Sequence, residues 1–285
     1  METNVIKGKP VADKITENLI DEVESLKNKG INPNLAIVRV GENPDDMSYE
    51  RGAMNRCAKI GIDVKNIILK SDVSEEDYIN AIEDLNNDKS INGILCLRPL
   101  PKHIDENRVK YAIDAEKDVD CFNPINSAKL FEGDTGGYAP CTPEAVMKIL
   151  KHYNVELSGK RAVVLGRSLI VGKPVSMMLM GENATVTVCH SKTENLSDEA
   201  KKADVLIAAI GRAKMVDNSY VKEGATVIDV GINVDECGNL CGDVDTESVL
   251  GIASMVTPVP AGVGSVTTSV LAEHVIRACK KQNNI

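Results

Sequence analysis

One stretch in the second half of the chain has the residue types and order of a phosphate-binding turn. A β-branched run, Arg161 to Leu165, leads straight into Gly166-Arg-Ser-Leu-Ile-Val-Gly-Lys-Pro174 and then into a methionine-rich segment of helical pattern. Two glycines let the backbone turn sharply and approach a ligand closely, while the free N–H groups and positive end of the following helix favour a pyrophosphate. Ser168 stands where the middle glycine of the GxGxxG pattern would be, so by itself the segment also reads as an ordinary strand-to-helix turn. In dinucleotide-binding folds an Asp or Glu about 20 residues further on takes the ribose hydroxyls of NAD. Here the second strand ends in Cys189-His190-Ser191, without a carboxylate. Arg167 and Ser191 offer a cation and a hydroxyl to a 2′-phosphate instead, which favours NADP over NAD. The competing readings are a solvated surface role for Arg167 and a structural one for His190.

The elements that must position this turn follow from periodicity. Strand-like runs alternate with helical segments, which predicts βαβ units and largely parallel sheets. In the first half Pro10 opens a helix with Val11, Ile15, Leu19, Val23 and Leu26 on one face. Strands are expected at Leu35–Val40, Val64–Leu69 and Gly93–Leu97, joined by helices from Ser48 to Lys59 and from Ser74 to Asn87, with Ser74 and Asp77 as a capping box. A short helix from Ile104 leads into a polar, irregular stretch, Lys117 to Pro124. The alternation restarts at Thr142, read as an N-cap with Pro143 at the first helical position. Strands follow at Arg161–Leu165, Ala184–Cys189, Asp204–Ile210, Thr226–Val230 and Met255–Val256, and a last helix runs from Thr268 to Lys280.

The chain has 285 residues, 43% hydrophobic and 26% charged, the composition of a folded globular protein long enough for two domains. Its net charge of −9, with no block of like charge, lacks the footprint of a nucleic-acid binder. No apolar run reaches the roughly 18 residues of a membrane span and the N-terminus has no hydrophobic signal region, so a cytoplasmic location is expected. The eight cysteines are scattered, several within apolar runs, and are expected to be reduced; Cys237 and Cys241 lack a second pair that would complete a metal site.

Taken in order, Gly166 to Pro174, His190-Ser-Lys-Thr193 and Thr257-Pro-Val-Pro-Ala-Gly-Val-Gly264 resemble the methylenetetrahydrofolate dehydrogenase/cyclohydrolase family. The resemblance extends to Val40-Gly-Glu-Asn-Pro44 with Ser48-Tyr49, Pro99-Leu-Pro-Lys-His-Ile-Asp105, Lys117-Asp-Val-Asp120, Pro140-Cys-Thr-Pro143 and Gly242-Asp-Val-Asp245, nearly the whole chain. It implies two α/β domains flanking a cleft: a folate-binding catalytic domain, residues 1–139, and a Rossmann-like doubly wound parallel sheet, residues 140–267. Helix 268–285 would pack back on the first domain. A homodimer is implied as well. By the same resemblance Tyr49 stacks on the folate and Asp120 holds the pterin, making these two the catalytic candidates. Pro260, Gly262 and Val263 belong to a closing loop near the folate, and Gly166, Arg167, Ser168, Ser191 and Ile232 contact the dinucleotide. Tyr49 as a core aromatic and Asp120 as a turn residue are the plain structural readings.

Two departures bear on mechanism. Bifunctional members carry a lysine four residues after the tyrosine, where this chain has Ala53, and a glutamine before Pro-Leu-Pro, which aligns with Leu97. Removing hydride from a methylene carbon flanked by two nitrogens asks mainly for alignment with a nicotinamide. Hydrolysing the resulting methenyl cation asks for a proton-transferring group, and neither Arg56 nor Arg98 can shuttle protons, because guanidinium stays charged. The expected function is therefore NADP-dependent oxidation of 5,10-methylenetetrahydrofolate to the methenyl compound, with little cyclohydrolase activity. The alternatives are the full bifunctional enzyme, which also forms 10-formyltetrahydrofolate, a non-catalytic folate- or nucleotide-binding protein, and another two-domain dehydrogenase acting on a small keto or amino acid.

Overall fold

The apolar runs marked as strands are continuous rather than alternating, as strands covered on both faces by helices must be. The computed structural model, which describes residues 1–285, shows this for Leu35–Val40, Gly93–Cys96, Ala162–Leu165, Val205–Ala208 and Thr226–Asp229, whereas Asp63–Leu69 and Thr185–Cys189, at sheet edges, are partly exposed. In chain order the elements begin β1 (Asn4–Val5), α1 (Lys9–Asn28), β2 (Asn34–Val40), α2 (Pro44–Ile60), β3 (Asp63–Leu69), α3 (Glu75–Asn87), β4 (Gly93–Cys96), α4 (Glu106–Ala112) and α5 (Pro124–Glu132). They continue with α6 (Cys141–His152), β5 (Arg161–Leu165), α7 (Gly172–Gly181), β6 (Thr185–Cys189), α8 (Leu196–Ala200), β7 (Val205–Ala208) and β8 (Thr226–Asp229). A hairpin of β9 (Asn233–Val234) and β10 (Leu240–Cys241), then α9 (Thr246–Val249), β11 (Met255–Val256) and α10 (Gly264–Gln282) complete the chain.

Two compact units result. One comprises Asp13–Cys141 with Thr268–Ile285, the other Met1–Ala12 with Thr142–Thr267. The first holds a three-stranded parallel sheet of order β3-β2-β4, with Ala36, Val38, Tyr78, Ile82 and Ile94 in its core. The second holds a six-stranded parallel sheet of order β1-β11-β8-β7-β5-β6, cored by Val163, Leu165, Leu206, Val227 and Val256. Its chain winds outward from β5, to β6 on one side and to β7 on the other. Ligands bind such sheets at the carboxyl ends of the strands beside this reversal.

The first residues depart from the expected partition. β1 pairs in parallel with β11, Asn4 opposite Met255 and Val5 opposite Val256, so Met1–Ala12 belong with the six-stranded sheet rather than with residues 13–139. Two residues are too few to show a strand period. Helix starts differ for local reasons too. α2 begins at Pro44, a turn before Ser48, because Asn43 caps it: its side chain accepts from the Asp45 N–H at 2.8 Å, and Pro44 supplies a preset φ. Helix α6 starts at Cys141, which places Thr142 inside the first turn rather than at the cap. The N–H of Cys141 donates to Asp120 Oδ1 at 2.9 Å, a partner distant in sequence. α10 starts at Gly264, four residues before the expected Thr268, and α5, opened by Asn123 and Pro124, begins where the expected irregular stretch ends, over residues for which periodicity named no element. Ser74 caps α3 as its spacing predicts, accepting from the Asp77 N–H at 3.0 Å.

Asn43 holds the head of the helix that carries Tyr49, so Asn43→Ala is expected to lower the unfolding free energy by about 1 kcal/mol. Urea denaturation followed by circular dichroism checks this, and an unchanged midpoint would mean that solvent replaces the cap.

Candidate active site

The segment Lys117-Asp118-Val119-Asp120 forms a knot that fixes one half of the site. Lys117 Nζ donates to the carbonyls of Leu85, Asn86 and Asp88 at 3.0, 2.8 and 2.8 Å. Asp118, 1% exposed, accepts from the N–H groups of Phe122 and Asn123 and from Asn126 Nδ2, all at 2.8 to 2.9 Å. Burial raises the Asp118 carboxyl above its usual range, against the pull of these donors. With Lys117 and Asp118 anchored just before it, Asp120 is left at the rim. Oδ1 accepts from the Cys141 N–H, and Oδ2 lies 3.7 Å from Arg98 Nη2.

Tyr49 lies half-buried on α2 in the same surroundings. Burial pushes its phenol well above the normal range, and the nearby Cys141, Asp120 and Cys57 raise it further, so it is neutral at working pH. One turn on, Ala53 is fully buried, and Leu97 is 6% exposed. Several other ionisable groups of this unit are committed or inert. Glu50 pairs with Arg39 at 2.5 Å and accepts from Asn66 Nδ2 at 2.8 Å. Arg56 donates to Thr16 Oγ1 at 2.7 Å, which ties it to α1. His274, buried, has Nδ1 2.9 Å from the Val119 carbonyl. Burial pushes the thiols of Cys57, Cys96 and Cys121 up to about 12. All eight cysteines are free, and of these Cys237, in the β9–β10 hairpin, is the exposed one.

The other unit holds the phosphate-type turn. Gly166 has φ +122°, and a Cβ there would stand 2.1 Å from the Ala209 carbonyl oxygen; one on Gly172 would stand 2.2 Å from the Gly166 carbonyl oxygen. Both positions therefore exclude any side chain. Ser168 Oγ accepts from the N–H groups of Val171 and Gly172 at 3.0 and 3.4 Å, bracing the turn from within. Arg167, Lys173 and Ser191 are exposed. His190 is held in a tight turn: its N–H donates to Thr193 Oγ1 at 2.9 Å and its Nδ1 accepts from the Lys192 N–H at 3.1 Å. The exposed cradle, its two bare glycines and its two cations suit a dinucleotide with an additional phosphate.

Two buried carboxylates brace the loops beyond β7 and β8. Asp243 accepts from the N–H groups of Ile210, Gly211 and Arg212 and from Asn233 Nδ2. Asp229 accepts from the N–H groups of Gly231, Asp243 and Val244 at 2.9 to 3.0 Å. Ile232, 68% exposed, stands on the loop so fixed, next to Gly264. Of the closing-loop residues, Pro260 is exposed while Gly262 and Val263 are buried. A Cβ on Gly262 would lie 2.3 Å from the Pro258 carbonyl oxygen, and the Gly8 N–H donates to the Ala261 carbonyl at 2.8 Å.

The structure thus gathers Tyr49 and Asp120 in one unit. Gly166, Arg167, Ser168, Ser191, Ile232, Pro260, Gly262 and Val263 all lie in the other. Sequence reasoning missed Asp118, Asp229 and Asp243 as hubs. The available signal was the repeated Asp-Val-Asp at 118–120 and 243–245, whose first member is buried each time.

A parallel doubly wound sheet with a glycine cradle at the end of β5 defines a dinucleotide-binding α/β protein. Comparison with known proteins narrows this. A model of the tetrahydrofolate dehydrogenase/cyclohydrolase catalytic domain matches residues 6–120, and one of the NAD(P)-binding domain of the same proteins matches residues 140–283. The chain belongs to the tetrahydrofolate dehydrogenase/cyclohydrolase family. A bifunctional protein FolD from Clostridioides difficile is 67% identical over 280 residues, covering 98% of this chain and 98% of its own. The bifunctional enzyme FolD structure from Campylobacter jejuni is 41% identical with a TM-score of 0.96, over 99% of this chain and 100% of that one. The Trypanosoma brucei enzyme, solved with NADP cofactor and an inhibitor, is 35% identical with a TM-score of 0.95 over the full length of both chains.

Burial lifts the Asp229 carboxyl to about 6 against its three N–H donors. The folded protein holds this proton more tightly than the unfolded chain does. The stability that follows is complete below the usual carboxylate range and is lost as pH rises through about 6. Between pH 5 and pH 7 the unfolding free energy of the wild type is expected to fall by about 1 kcal/mol more than that of Asp229→Asn. Parallel pH slopes in urea titrations of the two proteins would contradict this.

Proposed function

We propose that this protein oxidises 5,10-methylenetetrahydrofolate to 5,10-methenyltetrahydrofolate with NADP, a step of one-carbon metabolism. The observation that carries the reading is the pairing of a neutral, half-buried Tyr49 with a rim carboxylate, Asp120, in a chain that also presents the glycine cradle of Gly166 and Gly172. When bound, the nicotinamide supplies the hydride acceptor. The protein's part is placement. Tyr49 offers a ring face on which the pterin stacks, and Asp120 accepts from the pterin's N–H groups. Pro260, Gly262 and Val263 are the closing-loop residues that the family resemblance implies. Gly166, Ser168 and Ile232 receive the dinucleotide, while Arg167 and Ser191 take its 2′-phosphate. No side-chain base is needed, because the two nitrogens flanking the methylene carbon stabilise the cation left behind. A cytoplasmic homodimer belongs to the same proposal.

Cyclohydrolase activity divides two readings. Buried side chains of this unit favour a dehydrogenase that hydrolyses its product poorly: Ala53, one turn from Tyr49, and Leu97 are apolar, and the thiols of Cys57 and Cys96 hold their protons. The relatives' names, bifunctional protein FolD at 67% and 60% identity, favour the full dehydrogenase/cyclohydrolase. Opening the methenyl ring with water requires a group that gives and takes a proton near neutrality, and an ordered water chain would have to serve in place of an amine.

Assaying both half-reactions on the purified protein separates these. The expected outcome is NADP reduction with methenyl hydrolysis at least tenfold slower, about 1.4 kcal/mol in barrier; comparable rates would establish the second reading. Ala53→Lys is expected to raise hydrolysis without raising NADP reduction. For the cofactor, Arg167→Ala is expected to increase KM for NADP by about tenfold or more and to leave KM for NAD within a factor of two. An equal loss for both would remove Arg167 from phosphate recognition.

A further inference from the structure

Removing hydride from a methylene carbon makes no demand on a guanidinium, yet one stands beside Asp120. Arg98 follows β4 and its side chain is only 14% exposed. Its guanidinium carbon sits 4.3 Å from the centre of the Phe122 ring, a cation–π contact that holds it in place. Its Nη2 stops 3.7 Å from Asp120 Oδ2. That separation matches the charges but exceeds the length of a hydrogen bond, about 3.2 Å at most. Asp120, meanwhile, is turned by the Cys141 N–H on Oδ1, which leaves Oδ2 on the guanidinium side. A largely shielded arginine with its N–H fork unspent, next to a carboxylate with lone pairs to spare, is a matched donor–acceptor pair awaiting a planar ligand.

We propose that Arg98 is a specificity-determining residue that reads the 4-oxo group of the pterin. This rests on the folate reading above and deepens it. A 2-amino-4-oxo pteridine displays along one edge two donors, the 2-amino group and N3–H, and then one acceptor, the 4-oxo oxygen. Asp120 and Arg98, side by side, present acceptors and then donors in the same order. Phe122 keeps the guanidinium from collapsing onto the carboxylate, so both groups stay free for the ring. A 4-amino ring would turn a donor toward Arg98 and leave two sets of N–H groups facing each other. A site built to hydrogen-bond one group rejects its replacement far more strongly than a purely apolar site does.

The test is a comparison of two ligands, tetrahydrofolate and its 4-amino-4-deoxy counterpart, binding to the wild type, Arg98→Leu and Arg98→Gln, measured by calorimetry alongside steady-state kinetics. The wild type is expected to prefer the 4-oxo ligand by about tenfold or more. In Arg98→Leu the preference should shrink to within twofold, with KM for methylenetetrahydrofolate raised about tenfold and kcat changed by less than threefold. Arg98→Gln, which offers both a donor and an acceptor at similar reach, should also lose the preference and supplies the comparison if the leucine variant does not fold. Equal weakening of both ligands in the variants, or no preference in the wild type, overturns the proposal. A wild type that binds neither ligand overturns the folate reading beneath it.

Discussion

The architecture around Tyr49 and Asp120 depends on a carboxylate that is itself buried, Asp118. Asp118 collects two backbone N–H groups and an asparagine amide, and by doing so it bends the chain so that Asp120, two residues on, emerges at a rim. A buried charged group is tolerable only when its lone pairs are used, and here the use is positional. Lys117 applies the same logic in reverse, its three protons spread over three carbonyls at the end of α3. Between these two anchors and the head of α6, Asp120 has little freedom. Preorganisation of this kind is what a reaction limited by alignment requires.

The dinucleotide unit solves a similar problem with close backbone approach. Gly166 and Gly172 bring main-chain atoms to separations that any side chain would prevent, and Gly231 and Gly242 do the same around Asp229 and Asp243. Asp243 gathers three backbone N–H groups from the loop after β7, and Asp229 one from the loop after β8 and two from the chain leaving the β9–β10 hairpin. Such loops have no regular partner for their N–H groups, and a buried acid supplies one without adding bulk. Ile232 and the 260–264 loop thereby gain a fixed platform.

Much of this was legible in the chain. The βαβ alternation, the strand positions to within a residue or two and the strand-turn-helix at Gly166 follow from periodicity and glycine placement. What escaped were features held by distant partners. β1 is too short to carry a pattern and is defined only by β11. α6 starts at Cys141 because a carboxylate 21 positions earlier takes its N–H, which no local capping rule encodes. Arg56 shares a helical face with Ala53, and its guanidinium ends on Thr16 of α1, a partner that helical spacing does not reveal. The hubs Asp118 and Asp243 differ from Asp120 and Asp245 only in burial, and burial is a property of the packed chain. The role of the resemblance was to single out Tyr49 and Asp120, for which spacing offered no argument.

Seven of the eight thiols are buried, and the eighth, Cys237, sits at the tip of a hairpin in water. A maleimide dye or spin label offered to the native chain therefore meets one accessible sulfur, in the same unit as the nucleotide cradle. The unmodified sequence carries its own attachment point for a reporter of that unit's motions, with no engineered cysteine and no thiol to delete.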